Sequence, residues 1–473
     1  MRSEKRKTKI VCTIGPATGS PAMLRNMIEA GMDVARLNFS HGNHESHSRL
    51  IGALRRASED AGKEIGILQD LQGPKIRVGR LPETGITLST DQTIHLVPGE
   101  TSDPGTLPIG YAHLLDDVKP GDRILLADGS VELQVSEIRQ SSLVCSVLVG
   151  GEVHSSKGVN LPSSTLKVSV FTEKDRNDLE FGLKKNVDFV ALSFISHEHD
   201  VEPVLEILNR QEQGPMLIAK IERPQALDRF DAIMNRVGGI MVARGDLGVE
   251  MPLAKVPMIQ KRLIRAARNM GKPVITATQM LRSMVDSPRP TRAEATDVAN
   301  AVLDGTDAVM LSEETATGRF PLEAVRVLDR ICHETEPYLE VERFLKDPIS
   351  DLLPPLQTAI SRSAAWLAHD LNADAIIAFT ASGSTARTVS RFRPPQPVIA
   401  FTDKPATQRQ LSLSWGVSSV EVTFTNIDEM IEKAKSWAIE NEMAHRGDRI
   451  ILTAGLPIGV TGTTNLLKAI ELT

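Results

Sequence analysis

The stretch Met216-Leu217-Ile218-Ala219-Lys220-Ile221-Glu222 decides how this chain is read. It opens as an aliphatic run of the kind found in strands buried on both faces, and it ends in an alternation that turns Lys220 and Glu222 to the same side. Seven more short runs of similar character surround it: Lys9–Ile14, Val34–Phe39, Ile65–Asp70, Phe189–Phe194, Gly239–Ala243, Pro273–Thr278 and Ala308–Leu311. Amphipathic stretches such as Ala22–Glu29, Asp200–Arg210, Ile259–Asn269 and Ala293–Leu303 lie between them, so the order is strand, helix, strand.

Eight such units, with no Gly-x-Gly-x-x-Gly turn after the first strand, predict an α/β fold of the (βα)8 TIM-barrel type. The third unit is interrupted. After Asp70-Leu71-Gln72-Gly73-Pro74 the helical period gives way to short alternating runs and turns such as Pro120-Gly121-Asp122 and Ala127-Asp128-Gly129. The expectation is a small all-β cap over 75–167, inserted in a barrel made of 1–74 and 168–345. Those two barrel pieces together come close to the ~250 residues typical of the fold. The Pro-rich stretch Asp347–Pro355 reads as a linker, and 346–473 as a doubly wound α/β domain with strands at Ala375–Phe379, Val398–Phe401, Ser418–Val422 and Arg449–Thr453.

Bulk properties narrow the function. A formal charge of −6 over 473 residues, with both signs interspersed, gives no footprint for nucleic acid or a membrane surface, and 4% aromatic residues supply no stacking platform. Cys12, Cys145 and Cys332 are too scattered for a disulfide framework or a zinc site, which suits a reducing cytoplasm. No run approaches 18 apolar residues, and the basic start leads into a strand rather than a signal segment.

Barrel enzymes carry their chemistry at the C-terminal ends of strands. Here those ends hold Arg36, Asn38, Ser40 and His41; Asp70; Lys220 and Glu222; Arg244, Gly245 and Asp246; Thr276, Thr278 and Gln279; and Ser312, Glu313 and Glu314. Glu222 and Asp246 offer hard oxygens to a divalent cation, and Lys220, Arg36, Arg77 and Lys157 surround the mouth with positive charge suited to a multi-phosphate ligand. His41, His44 and His47 recur at helical spacing, but nothing completes a tetrahedral site around them. Thr380-Ala381-Ser382-Gly383-Ser384-Thr385 follows a strand and opens a helix; it reads either as a phosphate-binding loop or as an ordinary capped helix start.

Lys9–Pro16, Ala35-Arg-Leu-Asn-Phe-Ser-His-Gly42, Ala219-Lys-Ile-Glu222, Val242-Ala-Arg-Gly-Asp-Leu-Gly248, Ala277-Thr-Gln-Met280, Pro288-Arg-Pro-Thr-Arg-Ala-Glu294 and the Gly462–Asn465 segment together carry a resemblance. Over nearly its whole length the chain resembles the pyruvate kinases. It implies phosphoryl transfer from phosphoenolpyruvate to ADP, giving pyruvate and ATP, the final step of glycolysis. Glu222 and Asp246 would hold Mg²⁺, with Mn²⁺ as an alternative. Lys220 would steady the phosphoryl group, Arg36 would hold the phosphate, and Gly245, Asp246 and Thr278 would hold the carboxylate. The nucleotide side falls to Asn38, Phe39, Ser40, His41, Arg77 and Lys157, so that closure of the cap would assemble the site. A cytoplasmic homotetramer, activated by a phosphorylated metabolite at Thr380, Ser382, Gly383, Ser384 and Thr385, is implied in the same way.

Several positions depart from the animal enzymes. Many relatives hold K⁺ at positions matching Asn38, Ser40, Asp70 and the Leu71 carbonyl and carry Glu where this chain has Lys75. With Leu71, Gln72 and Val78 beside it, Lys75 resembles the bacterial, potassium-independent branch and implies activity without K⁺. Ser46 stands where some relatives have an aromatic residue near the base, and Glu313 where a small residue is usual. Ala381 and Ser384 replace the basic residues of fructose-bisphosphate-activated forms, which leaves the effector open among AMP, ribose 5-phosphate, glucose 6-phosphate and others. Two other readings compete: an aldolase-like Mg²⁺-enolate lyase, and a catalytically idle sensor of sugar phosphates or nucleotides.

Overall fold

The computed structural model describes residues 6–101, 103, 105–164, 167–346, 354–457 and 462–473. Eight parallel strands close into a barrel: Lys9–Thr13, Val34–Asn38, Gly66–Asp70, Phe189–Leu192, Met216–Ile221, Gly239–Ala243, Val274–Ala277 and Ala308–Leu311. The first pairs with both the second and the eighth, so no edge remains. Most of these strand residues are buried, because the barrel interior packs Val11, Leu68, Ile218, Met241, Ile275 and Met310 while the opposite faces meet the helices. The aliphatic composition noted above follows from this burial on two faces.

Caps fix the helix starts. Thr291 and Glu294 bond reciprocally to open Arg292–Asp304, and Gly305, at φ +89°, ends it. The helix Val256–Asn269 buries Leu263, Ile264 and Ala267 against strands six and seven.

Between strands three and four, a six-stranded sheet and a two-stranded one enclose a separate apolar core of Leu96, Ile109, Leu126, Val135 and Val147. This β insert sits over the barrel mouth. Asn160 Nδ2 donates to Glu250 Oε1 at 2.8 Å, and Gly129 faces Val249.

The C-terminal sheet has five strands. Val417–Glu421, Val398–Thr402, Ala375–Phe379 and Arg449–Gly455 run parallel, and Thr464–Glu471 returns antiparallel at the edge. Pro355–Asp370, Ser384–Ser390 and Pro405–Leu411 cover one face and Ile427–Glu440 the other, which makes the domain doubly wound. The fifth strand was not expected, since its polar, half-exposed pattern lacks the apolar run of the others. Of the proposed linker, residues 347–353 lie outside the described residues.

Strand four stops at Leu192 rather than reaching Phe194. Phe194 takes a left-handed φ of +60°, and its amide donates to Glu222 Oε2 at 2.7 Å instead of continuing the ladder.

Candidate active site

Strand ends bring the charged residues together. Lys220 Nζ lies 2.8 Å from Glu222 Oε1 and 3.3 Å from Asp70 Oδ1, and it donates to Ser193 Oγ at 2.9 Å. Arg36 grips the other Asp70 oxygen at 2.7 Å and donates to Thr13 Oγ1 at 2.9 Å. Asp70 and Glu222 are each 1% exposed, so this is a buried network of two cations and two carboxylates joining strands one to five.

Burial sets the pKa values and the neighbours correct them. Desolvation alone would raise Asp70, but Lys220 and then Arg36 outweigh it and hold its carboxyl below the usual range. Burial would lower Lys220, yet Asp70, Glu222 and Asp246 together keep its ammonium well above the ordinary lysine value. Glu222 goes the other way. Burial pushes it up to about 7; Lys220 opposes this, and the like charge of Asp246 adds to it. Two carboxylates that repel each other across one mouth, both hard oxygen donors, fit a divalent cation that would relieve the repulsion. Glu222 and Asp246 would hold it.

Asp246 stands in the first turn of the short helix Arg244–Glu250. Ahead of it, the Gly245 amide donates to Thr278 Oγ1 at 2.7 Å, and Thr278 Oγ1 donates to the Ala277 carbonyl at 2.6 Å. Thr278 and Gln279 have φ of +68° and +55°, a left-handed pair without glycine, which for a β-branched threonine is a strained conformation.

A cleft of about 590 Å³ opens between the cap and this mouth, lined by Lys75, Arg77, Lys157, His41, Asp246 and Glu313 among others. Of the residues assigned above to the nucleotide, Arg77 and Lys157 come from the cap side and His41 from the barrel side. Asn38 Oδ1 accepts from the Ser40 amide at 3.1 Å, and Phe39 stacks on His47 at 4.0 Å. Asn38 and Asp70 are register partners on strands two and three, and the Leu71 carbonyl accepts from Ser193 Oγ at 3.0 Å. Lys75 is exposed on the wall of this cleft; desolvation there and then Lys220 lower its pKa, with Asp246 opposing, Arg77 adding and Glu222 opposing.

The three histidines have separate duties. His44 Nε2 is 2.7 Å from Asp178 Oδ1, and His47 Nε2 meets the His41 carbonyl at 2.9 Å. Among the described residues no group of three or more His, Cys, Asp or Glu has metal-binding geometry. Glu313 pairs with Arg282 at 2.9 Å on the rim.

In the C-terminal domain, a pocket of about 120 Å³ is lined by Thr380, Ser382, Ser384, Thr385, Asp403 and Gly455 among others. Gly383 precedes the helix at φ +80°, and Thr385 Oγ1 bonds Thr464 Oγ1 at 2.8 Å.

Residues 5–325 match the family described as "Pyruvate kinase, barrel domain", and residues 358–470 match "Pyruvate kinase, alpha/beta domain". The chain belongs to the pyruvate kinase family. It is 46% identical over 467 residues, 98% of its own length and 80% of theirs, to pyruvate kinases of Staphylococcus aureus strains MRSA252 and USA300. The crystal structure of a pyruvate kinase from Cryptosporidium parvum superposes with a TM-score of 0.92 at 39% identity, covering 99% of this chain and 96% of that one. As a member of the pyruvate kinases, the chain is a phosphotransferase.

Thr13 and Ser193, hydroxyls at the ends of strands one and four that accept from Arg36 and Lys220, are not among the strand-end residues predicted above. Both stand directly at the end of an apolar run, so the same rule would have found them. Arg244 was noted only as a polar strand end; it holds the main chain of Thr278. No sequence signal marks the Asn160–Glu250 contact, which joins residues ninety apart in the chain.

Proposed function

We propose that the enzyme transfers the phosphoryl group of phosphoenolpyruvate to ADP in a Mg²⁺-dependent reaction, as the last step of glycolysis in the cytoplasm. The observation that carries the reading is the Lys220 ammonium, set between Asp70, Glu222 and Ser193 at the barrel mouth, with Arg36 sharing Asp70.

Mg²⁺ between Glu222 and Asp246 would neutralise phosphate and enolate oxygens. Lys220, a compact charge locked at full protonation, follows the phosphoryl group as its bond to the enol oxygen breaks and a bond to an ADP oxygen forms. Arg36 holds the phosphate from the other side. The Gly245 amide exchanges Thr278 Oγ1 for the substrate carboxylate, so one acceptor replaces another at little cost. Freed from that bond, the Thr278 hydroxyl passes a proton from solvent to the methylene carbon of the enolate, completing pyruvate. Asn38, Phe39, Ser40 and His41 on the barrel, and Arg77 and Lys157 on the cap, take the nucleotide, which ties catalysis to the position of the cap.

Lys75 supplies the positive charge that other members take from K⁺, so K⁺ is not required. A phosphorylated metabolite binds at Thr380, Ser382, Gly383, Ser384 and Thr385, where the pocket has room for a phosphate group. A homotetramer would cover Leu253 and Met258 on the barrel, which are 73% and 67% exposed.

The test is pyruvate formation from phosphoenolpyruvate and ADP, with and without Mg²⁺. Lys220→Met is expected to lose on the order of 10³-fold or more in kcat, as removal of a charge-stabilising group does. Full activity in that variant, or no pyruvate from the native enzyme, sinks the reading. Mass measurement in solution settles the oligomer.

A further inference from the structure

Lys220 is held by a hydroxyl whose hydrogen bonds can run in one direction only. A lysine ammonium has three N–H donors and no acceptor, so Ser193 Oγ, 2.9 Å from Lys220 Nζ, must accept from it. The single proton of that hydroxyl then goes onward to the Leu71 carbonyl, at 3.0 Å. Ser193 is 2% exposed, and the loop that leaves strand three lies against it. The Leu71 amide donates to the Ala191 carbonyl at 3.0 Å, and a Cβ added at Gly73 would stand 3.1 Å from Ser193 Cβ and 2.9 Å from the Phe194 ring. The next residue along holds Glu222, because the Phe194 amide donates to Glu222 Oε2 at 2.7 Å. Two consecutive residues past strand four thus fix the two charged residues that end strand five.

The ammonium is a compact rotor on a flexible stem. Glu222 Oε1 at 2.8 Å and Ser193 Oγ at 2.9 Å take two of its N–H groups. Asp70 Oδ1 lies farther off, at 3.3 Å, and is a buried oxygen without a well-formed hydrogen bond. On a tetrahedral nitrogen, two fixed N–H directions determine the third. Held by Glu222 alone, the ammonium would turn about that one bond and close on Asp70, whose charge makes it a stronger acceptor than a hydroxyl.

We infer that Ser193 is a positioning residue for phosphoryl transfer: it sets the rotation of the Lys220 ammonium and keeps it from closing on Asp70, which leaves one N–H for the group in transit. This role rests on the part proposed above for Lys220. Because Lys220 acts most strongly on the phosphoryl group between donor and acceptor, the hydroxyl governs rate rather than substrate affinity.

In the full-length enzyme, Ser193→Ala should lower kcat at least about tenfold, within the range of a small misplacement of a reacting group, and leave the KM values for phosphoenolpyruvate and ADP within about twofold. Ser193→Cys, which keeps the volume but offers only a weak acceptor, should show the same split, and it replaces the alanine variant should that one not fold. The deciding measurement is a double-mutant cycle. Added to Lys220→Met, Ser193→Ala should change the residual kcat by less than about twofold, since the hydroxyl works only through the ammonium. A loss of the same size in both backgrounds overturns the role, because a hydroxyl that merely braced the Leu71 loop would be missed equally in each. A smaller loss of kcat in the single variant, or a loss carried by KM, overturns it too. Full activity in Lys220→Met alone strikes the part given to Lys220, and the role of Ser193 falls with it.

Discussion

Arg244 holds the main chain of Thr278 from one strand over: Nη2 donates to the Thr278 carbonyl at 2.7 Å and Nε to the Ala277 carbonyl at 3.1 Å. Its remaining nitrogen is anchored by Asp297 at 2.7 Å and Gln260 at 3.2 Å. The left-handed turn that aims the Thr278 hydroxyl is unfavourable for threonine, so something outside the turn must pin it, and this planar fork does. Arg244→Met is expected to lower kcat by about 10²-fold, the scale of a small misplacement of a reacting group, while leaving the KM for ADP within about twofold. Arg244→Lys, a single ammonium without the planar fork that reaches the two carbonyls and Asp297 from separate nitrogens, should recover only part. A kcat near that of the native enzyme would show that the turn holds itself.

The cap contact makes a prediction about pH. Glu250 is buried, and its carboxyl is raised above the ordinary range by burial; Asn160 and Arg223 oppose this and Asp246 adds to it. Its folded pKa exceeds its unfolded one, so the native state binds more protons in the interval between them, and stability falls as pH rises through that interval. Glu250→Gln keeps an acceptor for Asn160 and removes the charge. Thermal midpoints measured against pH should lose that part of their decline in the variant. Glu250→Ala, which leaves Asn160 without its partner, should cost about 1–3 kcal/mol and raise the KM for ADP by loosening the cap. Identical pH profiles for the native and Gln proteins would count against it.

At the opposite end of the barrel, Asp188 accepts from Arg55 at 2.8 Å and from Arg409 at 2.6 Å, joining strand four to the C-terminal domain. It is 2% exposed, so truncating it strands two guanidinium groups. Asp188→Ala should destabilise by about 3–5 kcal/mol, read as a lower unfolding midpoint. A shift under about 1 kcal/mol would mean that the arginines find water instead.

What the sequence made legible was whatever repeats locally. Each barrel strand is a short aliphatic run because it is buried on both faces, and Lys220 and Glu222 meet because residues two apart on a strand share a side. Contacts between strands were harder to see. Asp70 serves Arg36 and Lys220 at once, thirty-four residues away in the first case, and no local pattern announces a shared carboxylate. Thr464–Glu471 was missed because an antiparallel edge strand keeps polar residues outward and shows no apolar run. Phe194 reads as strand by composition, but tertiary bonding of its amide to Glu222 overrides that preference.

Lys75 gives the most direct test of the site's charge balance. Its ammonium feels Lys220 and Arg77 as repulsion and Asp246 and Glu222 as attraction, so it adds positive charge where two acids would bind a divalent cation. Replacing it with an acid reverses that contribution, and a monovalent cation then becomes the simplest way to restore neutrality. The native enzyme should run equally well with tetramethylammonium or K⁺ as the only monovalent cation. Lys75→Glu should lose at least about tenfold in kcat without K⁺, comparable to ~1.4 kcal/mol of barrier, and regain most of it with KCl. A native enzyme that needs KCl would show that Lys75 does not replace the ion. A Lys75→Glu variant indifferent to KCl would show that the lysine's charge is not what the site requires.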